Sequence, residues 1–322
     1  MIELDLELAQ KFLNENNLKN CQIKKIAGDA SFRSYYRIFY QDKTYILMFA
    51  PPQYEDVAPF IKIDEILVNN RFRSPKILAK NINLGFILLE DFGDETYSKS
   101  LKNNVENEYF LYEKACDVLI EIHKIPLKNI NILSYNHATL FREVMLFIDW
   151  YLPLKNHEIS SQQIQDYKFY WIELFDKLSK NNQVLVLRDF HADNLMVLRN
   201  KNIFSAVGLL DFQDALIGSR AYDLLSLLED ARRDVNEKNK QKLFDYFISK
   251  AKYDREEFYI DYEIISLQRN IKILGIFARL SIRDNKNHYI NFIPRVKNFI
   301  EQRLEKTNLI CPQFKSFLKD YL

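Results

Sequence analysis

Glycine is scarce in this chain, with six residues among 322. Neither a GxGxxG nor a GxxxxGK[ST] pattern occurs, so the Rossmann fingerprint and the P-loop are both excluded. The three cysteines lie far apart and are odd in number, at Cys21, Cys116 and Cys311. This spacing predicts neither a disulfide framework nor a CxxC metal knuckle, and it favours reduced thiols in a reducing compartment.

The chain also lacks a charge excess and a long apolar run. Lys and Arg number 45 against 44 acidic residues, a net charge of +1, so the composition indicates no nucleic acid or anionic membrane as a partner. No apolar run reaches the roughly 18 residues needed to span a bilayer. The segment from Met1 to Glu7 is acidic and does not resemble a signal peptide. We therefore expect a cytoplasmic protein, while its oligomeric state stays open.

Hydrophobic residues make up 48% of the chain and aromatic residues 14%, enough for a large core. Helical spacing of apolar residues predicts a helix over 3–17. Period-two apolar patterns bounded by turn residues then predict strands at 23–27, 32–40, 45–50, 77–80 and 86–89, and a second helical pattern covers 55–70. The order after the first helix is thus β-β-β-α-β-β. Helical patterns dominate the remainder, at about 106–123, 138–151, 161–179, 236–250, 256–282 and 288–305, and Gly275 is the one glycine inside such a pattern. The sequence thus predicts an α+β fold with a sheet-rich lobe over 1–93 and a helical lobe over 94–322.

The densest polar signal follows a short apolar run and reads Arg188-Asp-Phe-His-Ala-Asp-Asn194. Seventeen residues after Asn194, a second apolar run ends on Asp211-Phe-Gln-Asp214. Carboxylate and amide oxygens of this kind suit Mg²⁺, which takes few protein ligands and binds substrate phosphates as well. A carboxylate that is not on the metal can accept a hydroxyl proton. Asp189 and Asn194 have the spacing of the D-x-x-x-x-N loop of kinases.

These two motifs resemble the aminoglycoside phosphotransferase and choline kinase superfamily, which has the bilobal protein-kinase-like fold. Further stretches resemble the bacterial branch of cell-wall sugar kinases, which phosphorylate N-acetylmuramate and N-acetylglucosamine at the anomeric carbon. These stretches are 28–33 (GDASFR), 46–52 (ILMFAPP), 85–91 (GFILLED) and 211–218 (DFQDALIG). The matches extend over about two thirds of the chain, and they imply ATP and Mg²⁺ as cofactors and a small sugar as substrate.

By this resemblance, Asp189 is the catalytic base, and Asn194 and Asp211 are the Mg²⁺ ligands. His191 is expected to orient the loop rather than to bind metal. Asp223 is expected to brace the loop backbone, as the later Asp does in the family pattern.

The resemblance also implies nucleotide contacts in the first lobe. Gly28 and Ser31 occupy the place of the loop that covers the phosphates, where glycine lets the backbone come close and a hydroxyl can donate. The backbone at Glu90 occupies the place of the hinge that meets the adenine. Arg33 is a candidate cation for the phosphates.

One departure from the kinase pattern concerns the third strand, which normally supplies a Lys for the phosphates. Met48 aligns with that Lys, and the basic candidates nearby are Arg33, Arg37 and Lys43. In the following helix, Asp64 falls on the inward apolar stripe, whereas Glu65 points about 100° away. Asp64 is thus a candidate to meet a basic partner or the metal environment.

The sequence therefore predicts an ATP-dependent kinase that phosphorylates the anomeric hydroxyl of an amino sugar in cell-wall recycling. The alternatives are an aminoglycoside or other small-alcohol phosphotransferase, and an inactive kinase fold that serves as a binding module. A protein kinase is disfavoured because no A-P-E motif follows Asp211.

Candidate substrate residues are Arg232, Arg233 and Asp214. An arginine can hold the lactyl carboxylate of muramate in a bidentate pair. The alternative for Arg232 and Arg233 is a solvated helix end with a pair between Glu229 and Arg233.

Overall fold

A computed structural model describes residues 4–26, 32–180, 183–198 and 206–322. The strands are β1 (Gln22–Lys25), β2 (Ser34–Tyr40), β3 (Lys43–Phe49), β4 (Ile77–Asn81), β5 (Phe86–Glu90), β6 (Gln183–Val186), β7 (Leu195–Val197), β8 (Val207–Leu209) and β9 (Leu216–Ser219). The helices are α1 (Leu6–Glu15), α2 (Ala58–Asn69), α3 (Tyr97–Asn103), α4 (Glu108–Ile122), α5 (His137–Leu146), α6 (Leu152–Leu154), α7 (Ser161–Phe175), α8 (Tyr222–Leu228), α9 (Glu237–Ala251), α10 (Arg255–Asp284), α11 (Ile293–Lys306) and α12 (Pro312–Tyr321).

The chain forms two compact units, and each is built from two separate stretches of sequence. Unit 1 comprises Met1–Val105 and Ala192–Asp214, apart from the residues that the structure leaves undescribed. Unit 2 comprises Glu106–His191 and Ala215–Leu322, with the same reservation. The lobe boundary at residue 93 stays a prediction.

An antiparallel five-stranded sheet in the order β1-β2-β3-β5-β4 forms the centre of unit 1. Its strands are rich in Tyr, Phe and Ile, which pack well on a half-buried pleated surface. Helix α1 begins at its N-cap Asp5, whose carboxylate accepts from the backbone N–H of Glu7 and Leu8. Phe12 and Leu13 of α1 then join Leu47 and Leu88 of the sheet in one core.

The later stretch of unit 1 contributes the short pair β7 and β8, which is antiparallel in the register Leu195↔Leu209. Gly208 lies where a Cβ would come within 2.8 Å of the Phe92 ring. A bridge also joins Arg73 to Gly208. The absence of a side chain at this position therefore lets β8 pack closely on the first stretch of the unit.

The described part of unit 2 is mainly helical and contains the antiparallel strands β6 and β9, with Val186 opposite Leu216. Helix α10 runs for 30 residues and is buried along most of its length, so it forms the core of the unit. It crosses α5 at Gly275, where a Cβ would meet the Leu146 backbone at 2.4 Å. The glycine inside a helical pattern is explained by this close helix contact.

The predicted first helix and the order β-β-β-α-β-β after it are confirmed over the first 90 residues, with α1 and α2 as the two helices. Two long helical patterns differ in detail. The pattern over 138–151 ends as a π-helical turn at Phe147–Tyr151, and the one over 288–305 starts as a 3₁₀ segment at Asn287–Phe292. Pro294 lies in the first turn of α11, where its missing N–H costs no intrahelical hydrogen bond. In the described part of the chain, no helix is both long and apolar enough to cross a membrane.

Candidate active site

The candidate metal ligands Asn194 and Asp211 come together in unit 1. Asn194 directly precedes β7, and Asp211 follows β8 by two residues, so the antiparallel register places both at the same end of the pair. The Leu210 N–H donates to the Asn194 carbonyl over 3.0 Å. The Asn194 amide lies 3.5 Å from Oδ2 of Asp211. Two oxygen-bearing side chains thus converge, as the sequence spacing predicts.

Asp211 is held firmly in this position. Its backbone has a left-handed φ of +57°, which is uncommon for a residue with a side chain. Gln213 donates to its Oδ1 over 2.9 Å. The next residue, Phe212, is buried and stacks on Phe60 of α2 with ring centroids 5.1 Å apart. The Gln213 hydrogen bond and the buried Phe212 ring therefore hold the strained backbone of Asp211 in place. Strain that is held in this way is typical of functional positions.

The donor set fits a magnesium ion of the kind that kinases use. In the ranges that the structure describes, no three His, Cys, Asp or Glu side chains form a ready-made metal cage. Magnesium usually keeps several waters and is held by one or two carboxylates together with substrate phosphates. The Asp211 side chain is 29% exposed and so remains accessible to such a ligand. Asn194 and Asp211 are the residues that could hold the ion.

Arg33 is the basic residue that lies beside this pair. Its guanidinium lies 3.3 Å from Glu55 and 4.0 Å from Asp211, and the residue is 8% exposed. Burial alone would lower the pKa of Arg33, but the Tyr35 hydroxyl and the carboxylates of Asp211 and Glu55 raise it. A permanent cation is therefore present next to the candidate metal site.

The other two cations proposed for the missing lysine have different surroundings. Arg37 forms ion pairs with Asp91 at 2.7 Å and Asp94 at 2.8 Å. Lys43 is exposed at the first position of β3, and Met48 in the same strand is fully buried. Arg33 is thus the one of the three candidates that approaches Asp211.

Three remaining nucleotide predictions have different outcomes. Gly28 and Ser31 lie outside the described residues. Glu90 ends β5, and its carboxylate pairs with Arg73 at 2.6 Å. The pair involves the side chain of Glu90, so the adenine contact proposed for its backbone stays a prediction.

Asp64 is buried on α2, as its place on the inward apolar stripe predicts, and burial raises its pKa to about 6.

The candidate base Asp189 belongs to unit 2, where the preceding backbone is tightly held. Asp223 is fully buried and accepts from the backbone N–H of Leu187 over 2.6 Å and of Arg188 over 2.8 Å. Burial raises the pKa of Asp223 to about 7, and the two backbone hydrogen bonds oppose that shift. The predicted bracing role of Asp223 is confirmed.

Arg232 lies against the loop that carries Asp189, since its Nη1 is 3.3 Å from Nε2 of His191. A guanidinium only donates, so this histidine nitrogen accepts and carries no proton in the contact. His191 is buried, and its backbone N–H donates to the Asp189 carbonyl. These contacts agree with an orienting role for His191. Asp214, the third substrate candidate, is exposed in unit 1.

Arg233 lies in a different environment from the solvated helix end that the sequence suggested. It pairs at 2.9 Å with Glu108, which is 2% exposed and also accepts from the Asn236 N–H. The alternative pair of Arg233 with Glu229 is wrong, because the Glu229 carboxylate is buried and binds Arg303 and Ser266 instead. Burying an unpaired carboxylate is costly, so the buried carboxylates of Glu108 and Glu229 each pair with an arginine.

Sequence reasoning missed a buried group of side chains next to Asp189. We call it the Glu143 cluster. It consists of Tyr135, Glu143, Arg188, Tyr222, Gln268 and Lys272. Its residues come from four separated parts of the chain, so no local sequence motif predicts the cluster. The signal in the sequence is the run 268–272 (QRNIK), which places four polar residues in the middle of a helical pattern.

Similarity to known proteins identifies the family. The model of the phosphotransferase enzyme family matches residues 22–259. The chain belongs to this family. It is therefore a phosphotransferase, as its motifs predict.

Two similar sequences carry the name N-acetylmuramate/N-acetylglucosamine kinase. The protein of Pseudomonas aeruginosa is 32% identical over 308 residues, which cover 92% of this chain and 89% of that protein. The protein of Neisseria meningitidis is 33% identical over 300 residues, which cover 89% and 87%.

Two solved structures share the fold. ADP-bound aminoglycoside phosphotransferase APH(2'')-Ib has a TM-score of 0.63 and 14% identity, with 93% of this chain and 99% of that one covered. Choline kinase LicA from Streptococcus pneumoniae also has a TM-score of 0.63 and 14% identity, with 92% and 99% covered. The predicted α+β, protein-kinase-like fold is confirmed.

Proposed function

We propose that the chain is an ATP- and Mg²⁺-dependent kinase that phosphorylates the anomeric hydroxyl of N-acetylmuramate or N-acetylglucosamine. The observation that carries this proposal is the convergence of Asn194 and Asp211 beside Arg33. The catalytic-loop spacing from Asp189 to Asn194 supports it. The names of the similar sequences, at 29–33% identity over most of the chain, support an amino sugar as the acceptor.

In this proposal the acidic group around Asp211 organises the phosphates. Asn194 and Asp211 would hold Mg²⁺, which when bound neutralises charge on the nucleotide phosphates. Arg33 supplies a further positive charge next to Asp211 and takes the place of the third-strand lysine. Phosphoryl transfer depends mainly on positioning and charge stabilisation, so fixed side chains are what the reaction requires.

Asp189 would act as the base. It accepts the proton of the sugar hydroxyl while the hydroxyl oxygen forms a bond to the γ-phosphorus and the bond to the leaving ADP oxygen breaks. Asp189→Asn retains the shape but not the proton acceptor, so we expect kcat to fall by about 10²–10⁴. A loss below about tenfold would leave Asp189 with a positioning role only.

Arg232 is the residue proposed to read the lactyl carboxylate of muramate, which glucosamine lacks. It lies beside His191 of the catalytic loop, whereas Arg233 is paired with the buried Glu108. A desolvated arginine–carboxylate pair is bidentate and charge-assisted, so its loss costs a few kcal/mol.

The decisive experiment measures ADP release by the purified chain with Mg²⁺, ATP and a panel of acceptors. The panel contains N-acetylmuramate, N-acetylglucosamine, kanamycin and choline. Phosphorylation at the anomeric hydroxyl also removes the reducing end, so the reducing-sugar signal should fall as ADP accumulates. Turnover with kanamycin and with neither sugar would refute the substrate class.

Competition between the two sugars tests the arginine. Arg232→Ala should lose muramate activity selectively and keep glucosamine activity. Arg233→Ala is the control. It leaves the buried Glu108 carboxylate without its arginine, so it should lower the melting temperature. The ratio of muramate activity to glucosamine activity should not change. Equal losses on both sugars in Arg232→Ala would exclude the carboxylate role.

The second candidate is an inactive kinase fold that binds nucleotide and regulates another process. The burial of Met48 at the place of the usual lysine favours it. ATP binding without turnover of any hydroxyl acceptor on the panel is its expected signature.

A further inference from the structure

The Glu143 cluster is a buried ionic group centred on one carboxylate. Oε1 of Glu143 lies 2.7 Å from the Arg188 guanidinium and 3.3 Å from the Lys272 ammonium. Oε2 accepts from the Tyr135 hydroxyl and, over 3.0 Å, from the Gln268 amide. Both carboxylate oxygens are thus shared by two donors each. Burial alone would raise the pKa of Glu143, but Lys272 and Arg188 hold it below its ordinary value.

The second ammonium contact of the cluster ties it to the helix that carries Asp223. Lys272 donates to the Tyr222 hydroxyl over 2.8 Å. Tyr222 directly precedes Asp223, which braces the loop backbone. The cluster and the backbone brace are therefore adjacent along α8.

Arg188, the residue immediately before Asp189, is held through its backbone N–H, its carbonyl and its guanidinium. Its N–H donates to Asp223 over 2.8 Å, and its carbonyl accepts from the Ser226 hydroxyl over 3.1 Å. Its side chain is held by Glu143 and lies over the Tyr135 ring at 5.4 Å. The backbone and the side chain of Arg188 are therefore both anchored.

The backbone of Arg188 explains why it is held so strongly. Its φ of +71° lies in the left-handed region, which is strained for a residue with a side chain. A conformation of that kind persists only when the surroundings impose it. It also determines the direction in which the chain enters Asp189. Fixing the Arg188 side chain therefore fixes the start of the catalytic loop.

We propose that Glu143 is a positioning residue that orients the catalytic base Asp189 by anchoring the side chain of Arg188. The inference rests on the proposed function, in which Asp189 is the base. Glu143 itself touches no reacting atom and acts through Arg188.

The charges of the cluster provide a test that separates positioning from simple charge balance. Arg188, Lys272 and Glu143 carry a net charge of +1. Glu143→Gln raises the net charge of the cluster to +2. Because the two cations then lack their carboxylate, the variant should have a lower melting temperature. The double variant Glu143→Gln/Lys272→Met returns the net charge to +1, but Arg188 still lacks its carboxylate.

We expect Glu143→Gln to reduce kcat by about 10- to 100-fold, the size of a misplacement near 1 Å, with the KM for ATP and sugar little changed. The double variant should recover its melting temperature but not its kcat. Recovery of kcat together with the melting temperature would overturn the proposal, as would a wild-type kcat in Glu143→Gln. If Glu143→Gln does not fold, the double variant supplies the same comparison of kcat with wild type.

Glu263→Gln is the matched control. Glu263 is also a buried carboxylate on unit 2, and it pairs with Arg303 rather than with the catalytic loop. It should lower the melting temperature and leave kcat unchanged. A comparable loss of kcat in this variant would assign the effect to general destabilisation and overturn the proposal.

A double-mutant cycle with Asp189→Asn separates this inference from the proposed function. If Glu143 acts through Asp189, adding Glu143→Gln to Asp189→Asn should reduce kcat no further. Fully additive losses would overturn the inference alone. Full activity of Asp189→Asn would instead refute the base role and, with it, the inference.

Discussion

Asp211 combines a left-handed backbone with hydrogen bonds to its carboxylate, a costly arrangement that a simple loop acid does not need. Asp211→Ala and Asn194→Ala should each lower Mg²⁺-dependent turnover by about 10²-fold or more, as expected for the loss of a preorganised electrostatic group. The measurement is ADP release over a Mg²⁺ titration, with the fold checked by circular dichroism. Asp193→Ala, a neighbouring loop carboxylate, is the control and should keep the Mg²⁺ dependence. Full turnover in either of the first two variants would contradict the metal assignment.

Arg33, which directly precedes β2, and Arg37, which lies in β2, provide a matched pair of buried or half-buried cations. Arg33→Met removes the cation beside Asp211, so the KM for ATP should rise by about 10- to 100-fold, the equivalent of one charged hydrogen bond. Arg37→Met breaks the pairs with Asp91 and Asp94 and should lower the melting temperature with little change in KM. Steady-state kinetics with varied ATP distinguish the two. An unchanged KM in Arg33→Met would reject its role as the replacement for the lysine.

Residues of the candidate site were predictable only where their signal was local. Asp189, Asn194 and Asp211 stand within 23 positions of one another and follow apolar runs, so spacing alone marked them. The partner of Arg233 was not predictable, because Glu108 lies 125 positions away. The pair of Glu143 and Lys272 was not predictable for the same reason, since the two residues are 129 positions apart. Ion pairs of this kind depend on tertiary packing, which a one-dimensional pattern does not record.

Helix α2 carries a buried carboxyl group, and its stability should therefore depend on pH. The pKa of Asp64 is raised from 3.8 to about 6 in the folded chain, so the folded state binds the proton more tightly than the unfolded state does. The stability from the protonated form is complete below about pH 4 and is lost as the pH rises through 6. Asp64→Asn cannot ionise, so its stability relative to wild type should increase over this window.

Urea midpoints measured from pH 4 to 7.5 test the Asp64 prediction. Glu65→Gln tests the neighbouring charge on the same helix, because the Glu65 carboxylate, which is 62% exposed, helps to raise the pKa of Asp64. It should weaken the pH dependence of the midpoint slightly, whereas Asp64→Asn should remove the Asp64 contribution altogether. A difference between Asp64→Asn and wild type that stays constant with pH would show that Asp64 does not titrate in this range.

Secondary-structure elements followed from the sequence when they were long or strongly alternating. The hairpin of β2 and β3 and the long helix α10 were predicted with ends close to those observed. β9, with four residues, was not predicted, because so short a run has no measurable period. It nevertheless leads into the helix that carries Asp223, so a strand without a clear sequence signal helps to place the brace of the Arg188 backbone.

The whole molecule is assembled from units that are not continuous in sequence. Unit 1 needs Ala192–Asp214 to cover Phe60, which stacks on Phe212, and to complete the bridge at Arg73. A fragment of residues 1–105 should therefore unfold at a lower denaturant concentration than the same fragment joined by a flexible linker to residues 192–214. Urea titration followed by circular dichroism compares them. Equal midpoints would show that the first stretch folds without the second.

The return of the chain to unit 1 at Ala192 also sets an order of events during synthesis. At about 5–20 residues per second, a ribosome needs about 5–20 s to make the roughly 110 residues that follow Val105 and end at Asp214. During that interval the sheet has emerged, but the strand pair that completes it has not. The exposed face around Phe60 must wait without a partner, so this stage is where a nascent chain would most need a chaperone.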